Sequence, residues 1–493
     1  MSVLALLGCG KAQSDQPDAD THVGMGGSSA GSFGNSAGGV SSAGSQPVSA
    51  GSSAVGGSQA ASAGSNAVGG SGAVAGAIHV GDSGAAGSDS DTVDPSCVNA
   101  VTYSGNVSIE DQAKFNDFPL LAEIDGNLSL SDSVIDLAPL SCLRRIQGTL
   151  RIEETLALVD LKGLAQLREV SGSIMVRANA KLAKLEGLGR LKGISELDVE
   201  DNPVLRSLDG LRAVEDIRML TVRANAQLGS LDGLQGLQSA GGLLIQANPL
   251  LAELTALSAL RQVDRLMVGG NALHTLAGVE KALVSDVLSI GESQLETLET
   301  FASLTSVDSL TIANTTRLAD LEGLRNLQSV STQLLLSDNA ALTSLQGLRK
   351  LTSAGKVAIV RTSVPSLAGL EQLKIAAGGE LMLEGCAALT SLEAVSHAST
   401  SLHALYVRAC PLLTDLSGLE QLQSASTLNI ADNSVLGSLL ALQGLTQISD
   451  ALTITGNPKL PRCQALALRA SAAAALGDSA VTISGNDNTA PCP

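Results

Sequence analysis

The chain has 493 residues, with 48 acidic against 30 basic side chains and a formal net charge of −18. That balance weighs against nucleic acid and anionic membrane surfaces as partners, because both need a basic footprint. With no Trp, two Tyr and four Phe, any core must be aliphatic, and no apolar run approaches the roughly 18 residues of a membrane-spanning helix.

The chain opens MSVLALLGCG. Leu6-Leu7-Gly8-Cys9 resembles the lipobox of bacterial lipoproteins, where a signal is cleaved before a Cys that becomes diacylated. The resemblance implies lipidation at Cys9 and a signal that starts upstream of the short apolar stub seen here. Gly10 follows where Asp would imply inner-membrane retention, so the resemblance also implies the outer membrane. Two or more acyl chains anchor stably, and membrane contact is expected through lipid alone. Residues 10–95 are Gly, Ser and Ala with scattered Val and Asp, too poor in apolar side chains to offset the entropy of ordering. They read as a disordered tether with an r.m.s. reach on the order of 50 Å. Their glycines lack the strand, helix and G-K-[ST] of a phosphate loop.

Beyond the tether one motif repeats. Ile194, Leu197, Val199, Asn202 and Leu205 recur 23 residues on as Ile217, Leu220, Val222, Asn225 and Leu228. Asn179, Asn202, Asn225, Asn248 and Asn271 keep that spacing. L-x-x-L-x-L-x-x-N at a period in the low twenties signals a leucine-rich solenoid, whose single repeats cannot bury their apolar faces alone. Strand centres fall at Val107, Leu128, Leu150, Ile174, Leu197, Leu220, Leu243, Leu266, Leu288, Leu310, Leu334, Val357, Leu381, Leu405, Leu428, Leu452 and Val481, about 17 coils. Strands about 4.8 Å apart make a parallel sheet on the order of 75 Å long. The opposite face is expected to hold short turns or helical segments, such as Leu205–Val214 with Gly210 at a corner. The Asn ladder is assigned a structural role, its amides pairing backbone groups of the tight turn and of the next coil.

The opening of this region resembles a receptor L-domain, a leucine-rich-repeat relative found in receptor ectodomains and bacterial surface proteins. The matching residues are Cys97, Gly105-Asn106-Val107-x-Ile109, Gly126-Asn127-Leu128-x-Leu130 and Gly148-Thr149-Leu150-x-Ile152. Terminal coils need caps. Cys97 with Cys142, and Cys463 with Cys492, sit where caps belong, and each such loop closure stabilises by roughly 3–4 kcal/mol. Cys386 and Cys410 stand in for Asn in adjacent coils, either as free thiols or as a disulfide. With Cys9 set aside, six Cys remain, which favours an oxidising compartment. The expected division is 1–9 signal remnant, 10–95 tether, 96–460 solenoid and 461–493 disulfide-stapled cap.

No constellation for catalysis, cofactor or metal is evident. His22 and His79 lie in the tether, and His274, His397 and His403 have no metal-ligand spacing. Asp198, Glu200 and Asp201 are the most acid-like cluster, as in polysaccharide-cleaving solenoids. Yet one outward row reads Glu153, Arg177, Glu200, Arg223, Gln246, alternating charges that favour each other by about 0.2–1 kcal/mol per cross-strand pair. A second outward row reads Leu244, Met267, Ser289, Thr311, Leu335, Ala358, Met382, Tyr406, with Val360, Glu384 and Arg408 beside its end. An apolar stripe with a Tyr and an Arg is the composition of a protein contact. Leu335, Ala358, Val360, Met382, Glu384, Tyr406 and Arg408 are therefore the candidate partner-binding residues. The expectation is a monomeric, non-catalytic, lipid-anchored surface protein for adhesion or recognition of a protein or envelope partner. A carbohydrate-active solenoid enzyme and a structural spacer are the alternatives.

Overall fold

The computed structural model describes residues 77–79 and 95–491. Cys9, its lipobox and most of the stretch read as a tether lie outside the described residues, as does Cys492. Each coil follows one local rule. Alternate side chains of an extended strand face opposite ways, so Leu197 and Val199 point inward and are fully buried while Glu196, Asp198 and Glu200 face out. The next segment sends Leu205, Leu208, Leu211 and Val214 into the same core, and the chain returns one strand higher.

Seventeen strands, from Val107–Asp111 to Val481–Ser484, stack in one long parallel sheet. All the expected centres lie in register: Val107 pairs Leu128, Leu197 pairs Leu220, Leu334 pairs Val357, and Leu452 pairs Val481. The first and last strands each pair with one neighbour, so the sheet is open at both ends. The core beneath it is a single apolar cluster running from Tyr103 to Ala473. Each fully buried Leu, Ile or Val contributes roughly 1.5–3 kcal/mol, which is why the stack stands on aliphatics.

The far side of the coils is built from tight turns and short 3₁₀ segments such as Glu322–Leu324 and Gln346–Leu348. The glycine of the L-x-G-L segment is fixed by geometry. Gly210 has φ +121°, and a Cβ there would stand 2.2 Å from the Leu185 carbonyl oxygen of the coil below. The four N-terminal coils also carry short strands in a second sheet, Val101–Ser104, Leu121–Asp125, Arg145–Ile146 and Glu169–Val170. From Gly193–Glu200 to Gln447–Thr455, single strands of eight or more residues run through both positions. Register shifts such as the one between Val307 and Ser309 bend later strands there.

One short departure from the tether reading is seen. Ala77–His79 forms a strand antiparallel to Val101–Ser104, with Ile78 opposite Tyr103. Ala-Ile-His-Val is a β-compatible run inside the Gly/Ser-rich stretch, and the open edge of the small sheet supplies the backbone partners that composition alone does not reveal.

Cys97 and Cys142 form a disulfide across the N-terminal end, Cα–Cα 5.4 Å, where Tyr103 meets Phe118 edge to face at 5.4 Å. At the other end the helix Arg462–Ala472 buries Ala465, Leu468 and Ala472, and Val481–Ser484 follows as the last strand. Cys463 is disulfide-bonded. Cys386 and Cys410 are buried free thiols, which decides between the two alternatives open in the sequence.

Candidate functional site

The Asn positions form a hydrogen-bonded spine. Asn202 Nδ2 donates to Val176 O at 2.8 Å and to Glu200 O at 3.0 Å, while its Oδ1 accepts from Asn179 N and Nδ2. The pattern repeats at Asn225 and Asn248, and Asn271 donates to Ile245 O. Thr155, Asn339, Asn433, Asn457 and Asn486 extend it. All five expected members are buried and hydrogen-bonded, so they are occupied with holding coils together.

The residue before each spine position carries a feature that residue types do not announce. Ala178, Asp201, Ala224, Ala247, Asp338, Ala409 and Asp432 all have φ between +51° and +59°. The left-handed step turns the chain out of the strand and points the next side chain inward. It also keeps the ladder going, since Asp201 N donates to Arg223 O and Ala224 N to Gln246 O.

Two members of the acidic cluster, Asp198 and Glu200, are neutralised in place. Arg177 pairs with Asp198 and lies 3.9 Å from Glu200, which Arg223 approaches to 3.4 Å. Asp198 lies in the adjoining outward row, so the salt ladder is two rows wide. The Asp198 hydrogen bond raises the Arg177 pKa, and a hydrogen bond from Ser173, then the charge of Arg218, holds Glu196 below the usual carboxylate range. Asp201 sits at the exposed turn. His274, His397 and His403 are exposed, and among the described residues no three His, Cys, Asp or Glu group into a metal-ligand set.

The candidate partner-binding residues are brought together. Leu335, Ala358, Met382 and Tyr406 occupy one outward row on four adjacent strands, with Val360, Glu384 and Arg408 in the next row. Although they face away from the core, Ala358, Val360 and Met382 are 2–8% exposed. They bury one another under Leu335 and Tyr406, a second small apolar cluster outside the main core. The patch is thus contiguous but recessed, and Leu335 and Tyr406 present its accessible apolar surface.

Charge frames this strip on both sides. Glu384 pairs with Arg408, whose guanidinium lies 5.2 Å from the Tyr406 ring centre, a cation–π distance. On the opposite side Lys356 pairs with Glu380 at 2.6 Å. That second pair, in the third outward row, and Asn429, next along from Tyr406, are not among the residues singled out from the sequence. Continuing the 23-residue arithmetic one row sideways finds them. Arg408 Nε and Asn429 Oδ1 are buried with no hydrogen-bond partner.

No protein-family model and no curated protein matches the chain. Similar solved structures are leucine-rich-repeat proteins. An internalin from Listeria monocytogenes is 16% identical, covering 65% of this chain and 85% of its own, with TM-score 0.42. A leucine-rich-repeat protein of Leptospira interrogans is 18% identical over 74% and 97%, with TM-score 0.43. The functional domain of a second Listeria internalin, described as including a cysteine ladder, is 18% identical over 72% and 69%, with TM-score 0.38. This chain is a leucine-rich-repeat-type parallel solenoid, as its own register and core establish.

Proposed function

We propose that the protein is a non-catalytic recognition module of a bacterial cell surface. Its solenoid presents the outer sheet face to a protein or envelope partner, and a diacylated Cys9 with the Gly/Ser/Ala-rich stretch holds it at the outer membrane. The observation that carries the reading is the apolar strip Leu335–Ala358–Met382–Tyr406, which forms its own cluster outside the main core and is set between two ion pairs. Apolar centres with polar rims are the anatomy of protein interfaces, and solenoids build extended binding faces of this kind. Two of the three acidic groups that an enzyme reading would use, Asp198 and Glu200, are instead ion-paired with arginines of neighbouring strands.

The test is capture from envelope extracts by the intact chain and by a variant carrying Leu335→Ser, Met382→Ser and Tyr406→Ser. The expected result is loss of the captured species with the fold retained by circular dichroism. Equal capture by both removes the strip from consideration. Cys9→Ala should abolish incorporation of labelled fatty acid, and unchanged incorporation overturns the anchor.

A further inference from the structure

The outer face of the long sheet has two halves. Between Thr149 and Arg223 its rows carry a dense network of paired charges. From Arg265 to Ser484 they carry mainly Gly, Ala, Ser and Thr, with the apolar strip near the middle. The charged side chains of these three rows are Arg265, Lys356, Glu380, Glu384 and Arg408, each ion-paired on its own chain, Arg265 with Asp286 beside the row.

This half has an internal symmetry. Lys356 and Glu380 occupy the same row on adjacent strands. A two-fold axis parallel to those strands and midway between them sets Lys356 opposite the Glu380 of a second copy, and Glu380 opposite its Lys356. The same operation sets Ala358 against the partner's Met382 and Leu335 against the partner's Tyr406. Beyond the strip, small residues oppose small ones, as with Ser289 and the partner's Thr453, so two sheets can approach to the ~10 Å of packed β layers.

From these relationships we infer that the strip is covered by a second copy of this chain, in an isologous face-to-face dimer, in place of the monomer expected from sequence. The inference rests on the reading of this face as a recognition surface and names the partner. Under this axis the strands from Gln262–Gly269 to Val481–Ser484 overlap their counterparts. At about 4.8 Å per strand and roughly 20 Å of strand length, the footprint is on the order of 900 Å² per copy, close to the ~800 Å² of a standard interface. The axis reverses the solenoid direction, so the N-terminal ends of the two solenoids lie at opposite ends of the pair. Copies held on facing surfaces meet in that way, which makes the adhesion homotypic.

Sedimentation of the full chain over a wide concentration range tests this. The wild-type protein is expected to dimerise reversibly. Lys356→Glu alone sets two carboxylates against each other across the axis, and Glu380→Lys alone sets two ammonium groups together, so each should weaken dimerisation by about tenfold or more. In an equimolar mixture of the two variants, the carboxylate introduced in one copy faces the ammonium introduced in the other, which should restore the dimer. A folding defect would not be rescued by mixing. A wild-type chain that stays monomeric, or a mixture no more associated than its components, overturns the inference. A monomer whose envelope capture still depends on Tyr406 would leave the recognition reading standing, so the two fail separately.

Discussion

The side-chain oxygen of Asn225 accepts two hydrogen bonds from Asn202 one coil below, from its backbone N–H at 3.0 Å and from its Nδ2 at 3.2 Å. The same Asn202 Nδ2 also donates to Val176 O in the coil below and to Glu200 O in its own coil. Each Asn thus satisfies backbone groups that the tight turn would otherwise strand inside the core, where an orphaned polar group costs about 1–3 kcal/mol.

Asn202→Ala removes this hinge between coils and strands several buried groups at once. The expected loss is about 3 kcal/mol or more, read as a lower urea midpoint. Because coils are coupled to nearest neighbours, hydrogen exchange should accelerate first in the strands Ser173–Arg177 and Asp216–Arg223. A loss under about 1 kcal/mol would mean that water replaces the ladder without cost.

The left-handed column gives a second measurement. Ala224 sits at φ +55°, a conformation that is strained by roughly 1–2 kcal/mol for a residue with a Cβ. Ala224→Gly relieves that strain but gives some back through greater freedom of the unfolded chain. It should be neutral or stabilising by up to about 1 kcal/mol. Ala224→Val, with a β-branched side chain, should destabilise clearly, and the reverse order of midpoints would contradict the assignment.

The spine is broken where Cys386 replaces Asn. Thr362 Oγ1 is buried there with only the Cys386 sulfur, a weak acceptor, beside it, whereas Thr315 Oγ1 in an equivalent position donates to Asn339 Oδ1 at 2.7 Å. Cys386→Asn supplies a stronger acceptor, and its Nδ2 would take over the Ile359 carbonyl now reached by the Cys386 thiol at 3.3 Å. The expected gain is about 1 kcal/mol, measured by chemical denaturation.

Cys386 and Cys410 are fully buried. The hydrogen bond with Cys386, then burial, pushes the Cys410 thiol far above its ordinary value of 9.0. A neutral, enclosed thiol is a poor nucleophile. Alkylation followed by peptide mapping should leave both untouched in the native protein and modify both in denaturant. Rapid native labelling of Cys410 would show that the core opens.

Acid should loosen the fold. Glu186 and Glu196 titrate below their ordinary 4.5, and Asp415 and Asp487 below 3.8, held down by hydrogen bonds from Lys184, Ser173, Ser417 and Thr489 respectively. A carboxylate depressed in the folded state stabilises above its unfolded pKa, and that contribution disappears as pH falls through the folded value. The urea midpoint should therefore hold from neutrality to about pH 5 and decline below it. Glu196→Gln should make the decline shallower, and an unchanged slope would contradict its share.

The 23-residue recurrence of Leu, Ile and Asn by itself determined the solenoid, the strand centres and the face each side chain would take. In a parallel stack, register follows from the aliphatic pattern, since a slip of one residue would turn Leu197 and Val199 outward. The row from Leu335 to Tyr406 was legible for the same reason. The tertiary structure decided what depends on distance across coils rather than along the chain. It set the thiol state of Cys386 and Cys410, the strand at Ala77–His79, the Lys356–Glu380 frame, and the burial of Ala358, Val360 and Met382 beneath their own neighbours. Composition counts side chains one at a time, whereas these features arise where side chains from separate coils meet.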